Sequence, residues 1–235
     1  MLMFSIKQVY DLQETDWELS AREKSLASAR ARLADESALV SARARLLQIE
    51  SQLEDQSAAR RQEEVSVQRL ETRLQAAESR LYGGGVTNPR EFSAHEEEMD
   101  FLKRQLSAEE DELLELMVEV EDLQSARSQA RERLSRIESE RKIERAELLA
   151  SEEHLTNELG ELGRTRNEMV RQIPAPVLSV YEGLLRARNG HAVAMVERGM
   201  CQGCRLALPT LELQRARTQE SIVQCSSCRR ILYLV

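Results

Sequence analysis

The sequence predicts a mainly α fold: a long antiparallel coiled-coil helical hairpin, followed by a small C-terminal head of short β-strands and short helices. Three observations carry that prediction. Apolar residues recur at seven-residue intervals through most of the chain up to Met169. Three consecutive glycines, Gly83, Gly84 and Gly85, stand midway along the periodic stretch. All four cysteines lie beyond it, as the two Cys-x-x-Cys pairs Cys201/Cys204 and Cys225/Cys228.

Composition agrees. Charged residues make up 31% of the 235-residue chain and aromatics only 3%, with nine glycines and four prolines. That is too few aromatics and turn formers for an ordinary globular domain, and it suits long helices. A 41% hydrophobic content excludes simple disorder, because enough apolar side chains exist to cover a seam. No apolar run approaches the ~18 residues of a membrane span. Met1-Leu2-Met3-Phe4 is followed at once by polar residues, so no signal-peptide core forms. The expectation is a cytoplasmic protein without membrane insertion, where clustered thiols bind metal more often than they form disulfides.

The first arm spans roughly residues 5–82. Leu12, Leu19, Leu26, Leu33, Val40 and Leu47 are seven apart, and a neighbouring seam continues through Leu46, Ile49, Leu53, Val67, Leu70, Leu74 and Leu81. A polar stretch at Gln56, Arg60 and Glu63 interrupts it. The second arm, roughly residues 89–172, holds one register from Phe92 through Met99, Leu113, Val120, Leu148 and Leu155 to Met169. Leu102, Leu116, Leu123 and Ile137 form a second row. A sustained period of ~3.5 keeps one seam facing a partner, as a coiled coil requires.

The turn at residues 83–89 selects that partner. Successive glycines break a helix and permit positive φ, and Asn88, Pro89 and Glu91 read as N-cap, first helical residue and capping-box carboxylate. Near-equal arms imply a fold-back within one chain, pivoting near residue 86 and setting Val9 and Leu12 opposite residues around Leu162 to Met169. A parallel dimer of bent rods is the competing arrangement. The glycines make no phosphate loop, since no Gly-Lys-Ser/Thr follows. "HEEEM" at His95–Met99 lacks the second histidine of a zincin helix.

At Ile173-Pro174-Ala175-Pro176 two prolines end the helical pattern, dividing a hairpin at residues 1–173 from a head at 174–235. The charge changes there too. The hairpin has 25 basic and 37 acidic residues, a balance of −12; the head has eight and four, a balance of +4. In the head, Ala192–Val196, Ser221–Gln224 and Arg229–Val235 read as strands, and Pro209–Ala216 as a short helix.

Cys201, Cys204, Cys225 and Cys228 form a C-x2-C-x20-C-x2-C pattern that matches a four-thiolate zinc site, each pair making a tight knuckle, with Gly203 easing the first. A head with so little apolar mass needs such a staple, and metal binding becomes folding free energy. The expected cofactor is one structural Zn2+ per chain. Redox dithiols and iron–sulfur ligation are the rival uses, but a redox pair belongs at a helix start within a βαβ pattern. Four thiolates also close the coordination shell, leaving no place for substrate.

The "LYGGGVTNPREF" turn with the "CQGCR" and "CSSCR" knuckles resembles the bacterial C4-type zinc-ribbon proteins that carry a long N-terminal coiled-coil hairpin, formerly grouped as a domain of unknown function. The resemblance spans the whole chain. It implies no enzymatic activity and an adaptor or chaperone-like role. The partners it implies include an alternative sigma factor, secretion or flagellar components and, in some members, RNA. One departure is the unbroken glycine triplet, where the family pattern calls for a polar or basic residue.

The sequence itself offers no convergent nucleophile, base and oxyanion donor, and its histidines are scattered at His95, His154 and His191. The expectation is a non-catalytic protein, without small-molecule substrate, that binds protein partners through the head and the adjoining base of the hairpin, where Tyr10 and Trp17 fall. The alternative is nucleic-acid binding by the head through Arg186, Arg188, Arg205, Arg215, Arg217, Arg229 and Arg230. A four-thiolate zinc contributes about −2, which cuts the local charge to roughly +2, and only Tyr181 and Tyr233 are available for stacking.

Overall fold

A computed structural model describes residues 5–83, 88–218 and 222–234; Gly84, Gly85, Val86 and Thr87 of the turn, and Ser221 and Val235 of the expected strands, lie outside the described residues. The elements are α1 (Ile6–Ala34), α2 (Ser37–Tyr82), α3 (Pro89–Gln172), α4 (Ala175–Ala187), β1 (Val193–Glu197), β2 (Met200–Cys201), α5 (Thr210–Thr218) and β3 (Ile231–Leu234). The chain is a long helical hairpin with a small C-terminal region of short strands and helices. It divides into two compact units, one comprising Asp35–Ile143, the other Met1–Ala34 together with Glu144–Val235.

The first arm is not one helix. α1 stops at Ala34 and α2 starts at Ser37. At the break, Asp35 Oδ1 accepts the Ser37 N–H at 3.0 Å, and the Glu36 carbonyl accepts Val40 N–H at 3.0 Å. Aspartate competes with the helix ladder through just such side-chain-to-backbone bonds, and no heptad count registers it. The Ser37 side chain and then its backbone hold the Asp35 carboxyl below the usual range.

In the Asp35–Ile143 unit, α2 packs antiparallel on α3. Ile49, Leu53, Val67, Leu70, Ala77 and Leu81 are buried, against Met99, Leu102 and Val120 of α3. Val40 and Leu47, expected in the seam, are 61% and 66% exposed. At ~100° per residue, Leu47 stands one step off Leu46, and Val40 falls on the face opposite Ile49. On α3 the expected register holds from Met99 to Met169, whereas Phe92 is exposed.

Charged bridges across the helices fix the stagger: Arg43–Glu138 at 2.9 Å, Arg131–Glu50 at 2.6 Å and Lys103–Glu78 at 4.0 Å. In each of these three bridges the α3 residue lies farther from the turn than a symmetric fold-back about residue 86 would provide. Cα–Cβ bonds tilt toward each helix's own N-terminus, so facing side chains meet only when the Cα atoms are offset this way.

Gly83, the one described member of the glycine triplet, has a steric reason to be glycine. Gly83 has φ −76, not a positive value, but a Cβ there would strike the Ser79 carbonyl oxygen. Asn88 Oδ1 caps α3 by accepting the Arg90 N–H at 3.1 Å.

In the other unit, α1 packs antiparallel on the last part of α3, with Arg22–Glu158 at 2.9 Å and Arg30–Glu152 at 2.7 Å. The three-stranded sheet has order β2-β1-β3, with β1–β2 antiparallel and β1–β3 parallel. Residues 222–224 form no strand, only an isolated bridge of Gln224 to Ile231. Both faces of the sheet are covered. Val193 and Ile231 pack with Ile6, Val9 and Leu12 of α1, Ile173 and Tyr181. Ala194, Val196 and Leu232 pack with Cys201, Cys225 and Cys228. This two-sided burial explains why "AVAMV" and "ILYL" are continuous apolar runs rather than alternating ones.

Candidate metal centre

The two cysteine pairs fold alike. After the first, Arg205 N–H donates to the Cys201 carbonyl at 2.7 Å, and Cys201 N–H donates to the Leu206 carbonyl at 3.0 Å. After the second, Arg229 N–H donates to the Cys225 carbonyl at 2.8 Å, and Cys225 N–H donates to the Arg230 carbonyl at 2.9 Å. Each turn closes with an arginine in the left-handed region, Arg205 at φ 60 and Arg229 at φ 66. Gly203 therefore does not ease the first knuckle through its backbone freedom. It makes room: a Cβ there would lie 2.7 Å from Arg230 Cδ and 3.1 Å from Ala194 Cβ.

The turns bring all four sulfurs together, every pair within 4.8 Å. Cys201 Sγ lies 3.7 Å from Cys228 Sγ, and Cys204 Sγ 3.8 Å from Cys225 Sγ. Zinc–sulfur bonds of ~2.3 Å give a tetrahedron with edges of about 3.8 Å, so this spacing suits the metal. It is far from the ~2.05 Å of a disulfide, and all four cysteines are free. Burial pushes the Cys201 thiol up to about 12 and raises that of Cys225. Burial acts upward on Cys228 too, but the Arg230 backbone N–H and the neighbouring thiols outweigh it, bringing this thiol down to about 7. A cation at the centre would offset the cost of holding buried thiolates. The set has the residue types, burial and spacing for zinc.

Around the cluster the head is tied to α1 by polar contacts that the sequence reading did not name. Gln13 is fully buried. Its Oε1 accepts Val193 N–H at 2.6 Å and its Nε2 donates to the Val193 carbonyl at 3.1 Å. A side-chain amide thus occupies the position of a neighbouring strand. Asp16 accepts from Arg166 Nε and from the hydroxyl of fully buried Tyr181, both at 2.6 Å. Burial, then the bond to Asp16, holds the Tyr181 hydroxyl well above its ordinary range. Tyr10 stacks on Tyr233 with centroids 5.0 Å apart. Trp17 donates its indole N–H to the Gly190 carbonyl at 2.5 Å and packs against His191. Tyr10, Gln13, Trp17, His191, Met195 and Arg230 line a cleft of about 330 Å3.

The head arginines named in the nucleic-acid alternative serve different ends. Arg230 Nε donates to the His191 carbonyl and its Nη1 to the Gly203 carbonyl, both at 2.8 Å, so it binds the head to itself. Arg205 and Arg229 are exposed. The signal for their special backbone was present in the repeated Cys-x-x-Cys-Arg; Gln13 and Asp16 left no sequence signal beyond their place beside seam residues.

A coiled-coil hairpin carrying a four-cysteine ribbon defines the class, and the comparisons refine it. Residues 12–190 match the family model of the CT398-like coiled coil hairpin domain, so the chain belongs to that family. Residues 200–232 match the C4-type zinc ribbon domain. Among solved structures, the chain is similar to CT398 from Chlamydia trachomatis, at 22% identity and TM-score 0.79, with 97% of each chain covered. It is also similar to HP0958 from Helicobacter pylori, at 16% identity and TM-score 0.57, covering 97% of this chain and 96% of that one. A Mycobacterium smegmatis protein aligns at 22% identity and TM-score 0.57, with 94% of each chain covered. These likenesses establish the fold. No curated protein matches. No helix among the described residues is long and apolar enough to cross a membrane.

Proposed function

We propose that this protein is a non-catalytic adaptor. Cys201, Cys204, Cys225 and Cys228 hold one structural zinc, and the head they fold, residues 174–235, binds a protein partner together with the base of the hairpin. The observation that carries this reading is the closed thiol set behind a sheet that is hydrogen-bonded to α1 through Gln13. Metal-folded head and helical base then present one continuous surface, including the cleft between Trp17 and Arg230. Four ligands leave zinc no open position for chemistry. The partners suggested by the family resemblance are an alternative sigma factor or a secretion or flagellar component, in the cytoplasm.

The test compares two variants in affinity capture from the native lysate followed by mass spectrometry. Arg205→Gln/Arg229→Gln removes exposed charge from the head and spares Arg230. The second, Val86→Ser/Thr87→Ala/Arg90→Ala, alters the turn. The head variant should lose the partner and the turn variant should keep it; the reverse pattern refutes the assignment. Saturable, salt-sensitive binding of a labelled oligonucleotide would favour nucleic acid as the partner instead.

A further inference from the structure

Between Gln105 and Ala126, α3 carries eight carboxylates and no lysine or arginine. Across the seam, residues 55–76 of α2 hold four arginines and four carboxylates, so they offset none of that excess. The bridges joining α2 to α3 stand on either side of this stretch, at Arg131–Glu50 and Lys103–Glu78; among the described residues none falls within it.

Negative charge is crowded even inside the seam. One Glu63 carboxylate oxygen is shut off from solvent without a hydrogen-bond partner. The Ser66 hydroxyl donates to Glu109. Burial first, then Glu112 and Glu109, pushes the Glu63 carboxyl up.

On the outer side the polarity is reversed. Leu114 and Val118 are 58% and 59% exposed and Met117 is 39% exposed, while Leu113 and Leu116 turn into the seam. Spacings of three and four place the exposed trio on one strip of the helix. The same spacings put Glu110 and Glu121 at the ends of that strip and Asp111 and Asp122 beside it. Carboxylates thus frame an apolar patch, and among the described residues no ion pair engages Glu110, Asp111, Glu121 or Asp122.

We propose that this face of α3, centred on Leu114 and Val118, docks a basic amphipathic helix of a partner protein. The partner's apolar residues, at i, i+3 and i+4, lie on the Leu114–Met117–Val118 strip. Its flanking lysines or arginines meet Glu110, Asp111, Glu121 and Asp122. A second copy of this chain presenting the same face would bring carboxylate against carboxylate. Nucleic acid would be repelled. The surface is independent of the thiol cluster, so it can be tested whether or not the head binds anything.

The test uses the full chain and a fluorescein-labelled synthetic helix of leucine and lysine, with leucine at the a and d positions of its heptads. Anisotropy should show saturable binding that weakens with added salt. Leu114→Ser/Val118→Ser should weaken it about tenfold or more, the scale of losing central apolar anchors. Val40→Ser/Leu47→Ser, altering another exposed apolar pair, should leave affinity within about twofold. Glu110→Gln/Glu121→Gln should flatten the salt dependence while circular dichroism remains helical. Equal losses in the two serine variants, or equally tight binding of a peptide of the same composition with scrambled order, would overturn the proposal. So would self-association in sedimentation that Leu114→Ser/Val118→Ser abolishes.

Discussion

The side-chain amide of Gln13 and the backbone of Val193 bond in both directions, donor to acceptor and acceptor to donor, in the buried junction between α1 and β1. Replacing Gln13 by Leu leaves the Val193 N–H and carbonyl buried and without these partners. Each such group costs about 1–3 kcal/mol, so we expect about 2–4 kcal/mol of destabilisation in chemical denaturation. Gln13→Glu keeps the acceptor and loses the donor, and should fall between Leu and the parent. A Leu variant as stable as the parent would mean the amide pair contributes nothing net.

Freshly purified protein should contain about one zinc per chain by elemental analysis. Cys201→Ser should abolish it and unfold the head, while the far-ultraviolet circular dichroism stays strongly helical. A metal-free preparation with oxidised thiols would contradict the four-cysteine assignment.

The left-handed arginines make a sharper test of the knuckles. Arg229→Gly should be tolerated or mildly stabilising, because glycine adopts positive φ without penalty. Arg229→Val should cost about 1–2 kcal/mol and release zinc more readily to a chelator. Equal behaviour of the two variants would show that the turn does not need its left-handed residue.

The acidic break in the α2–α3 seam gives a pH dependence of definite sign. The carboxyl of Glu63 is raised in the folded chain, so folding favours its protonated form. That contribution is fully present below the ordinary carboxyl range and is lost as pH rises through the elevated folded value. Hydrogen exchange over residues 56–67, corrected for intrinsic rates, should therefore become faster as pH rises above the ordinary carboxyl range. Glu63→Gln should remove most of the change. An unchanged profile in that variant would place the titration elsewhere.

Much of this architecture was legible because it rests on periodicity and on chemistry with strict spacing. The α3 register from Met99 to Met169 and the four cysteines needed no tertiary information. What escaped was set by single local bonds or by contacts between distant residues. The Asp35 carboxylate ends α1 through a bond to Ser37, and Val40 and Leu47 leave the seam that heptad counting assigned them. Gln13 becomes a surrogate strand only because Val193 arrives beside it. Gly203 is needed because Arg230 crosses over it, which neither residue reveals alone.

The sheet that has the cysteines on one face and α1 on the other also gives the molecule a resident optical probe. Trp17, the one tryptophan in the chain, donates to Gly190 and packs on His191, just before β1 begins. Stripping the metal would loosen the sheet from its cysteine side and free the indole from its carbonyl. The emission maximum of the native protein should then shift to longer wavelength as a chelator is titrated in, giving a readout of metal occupancy without any added dye.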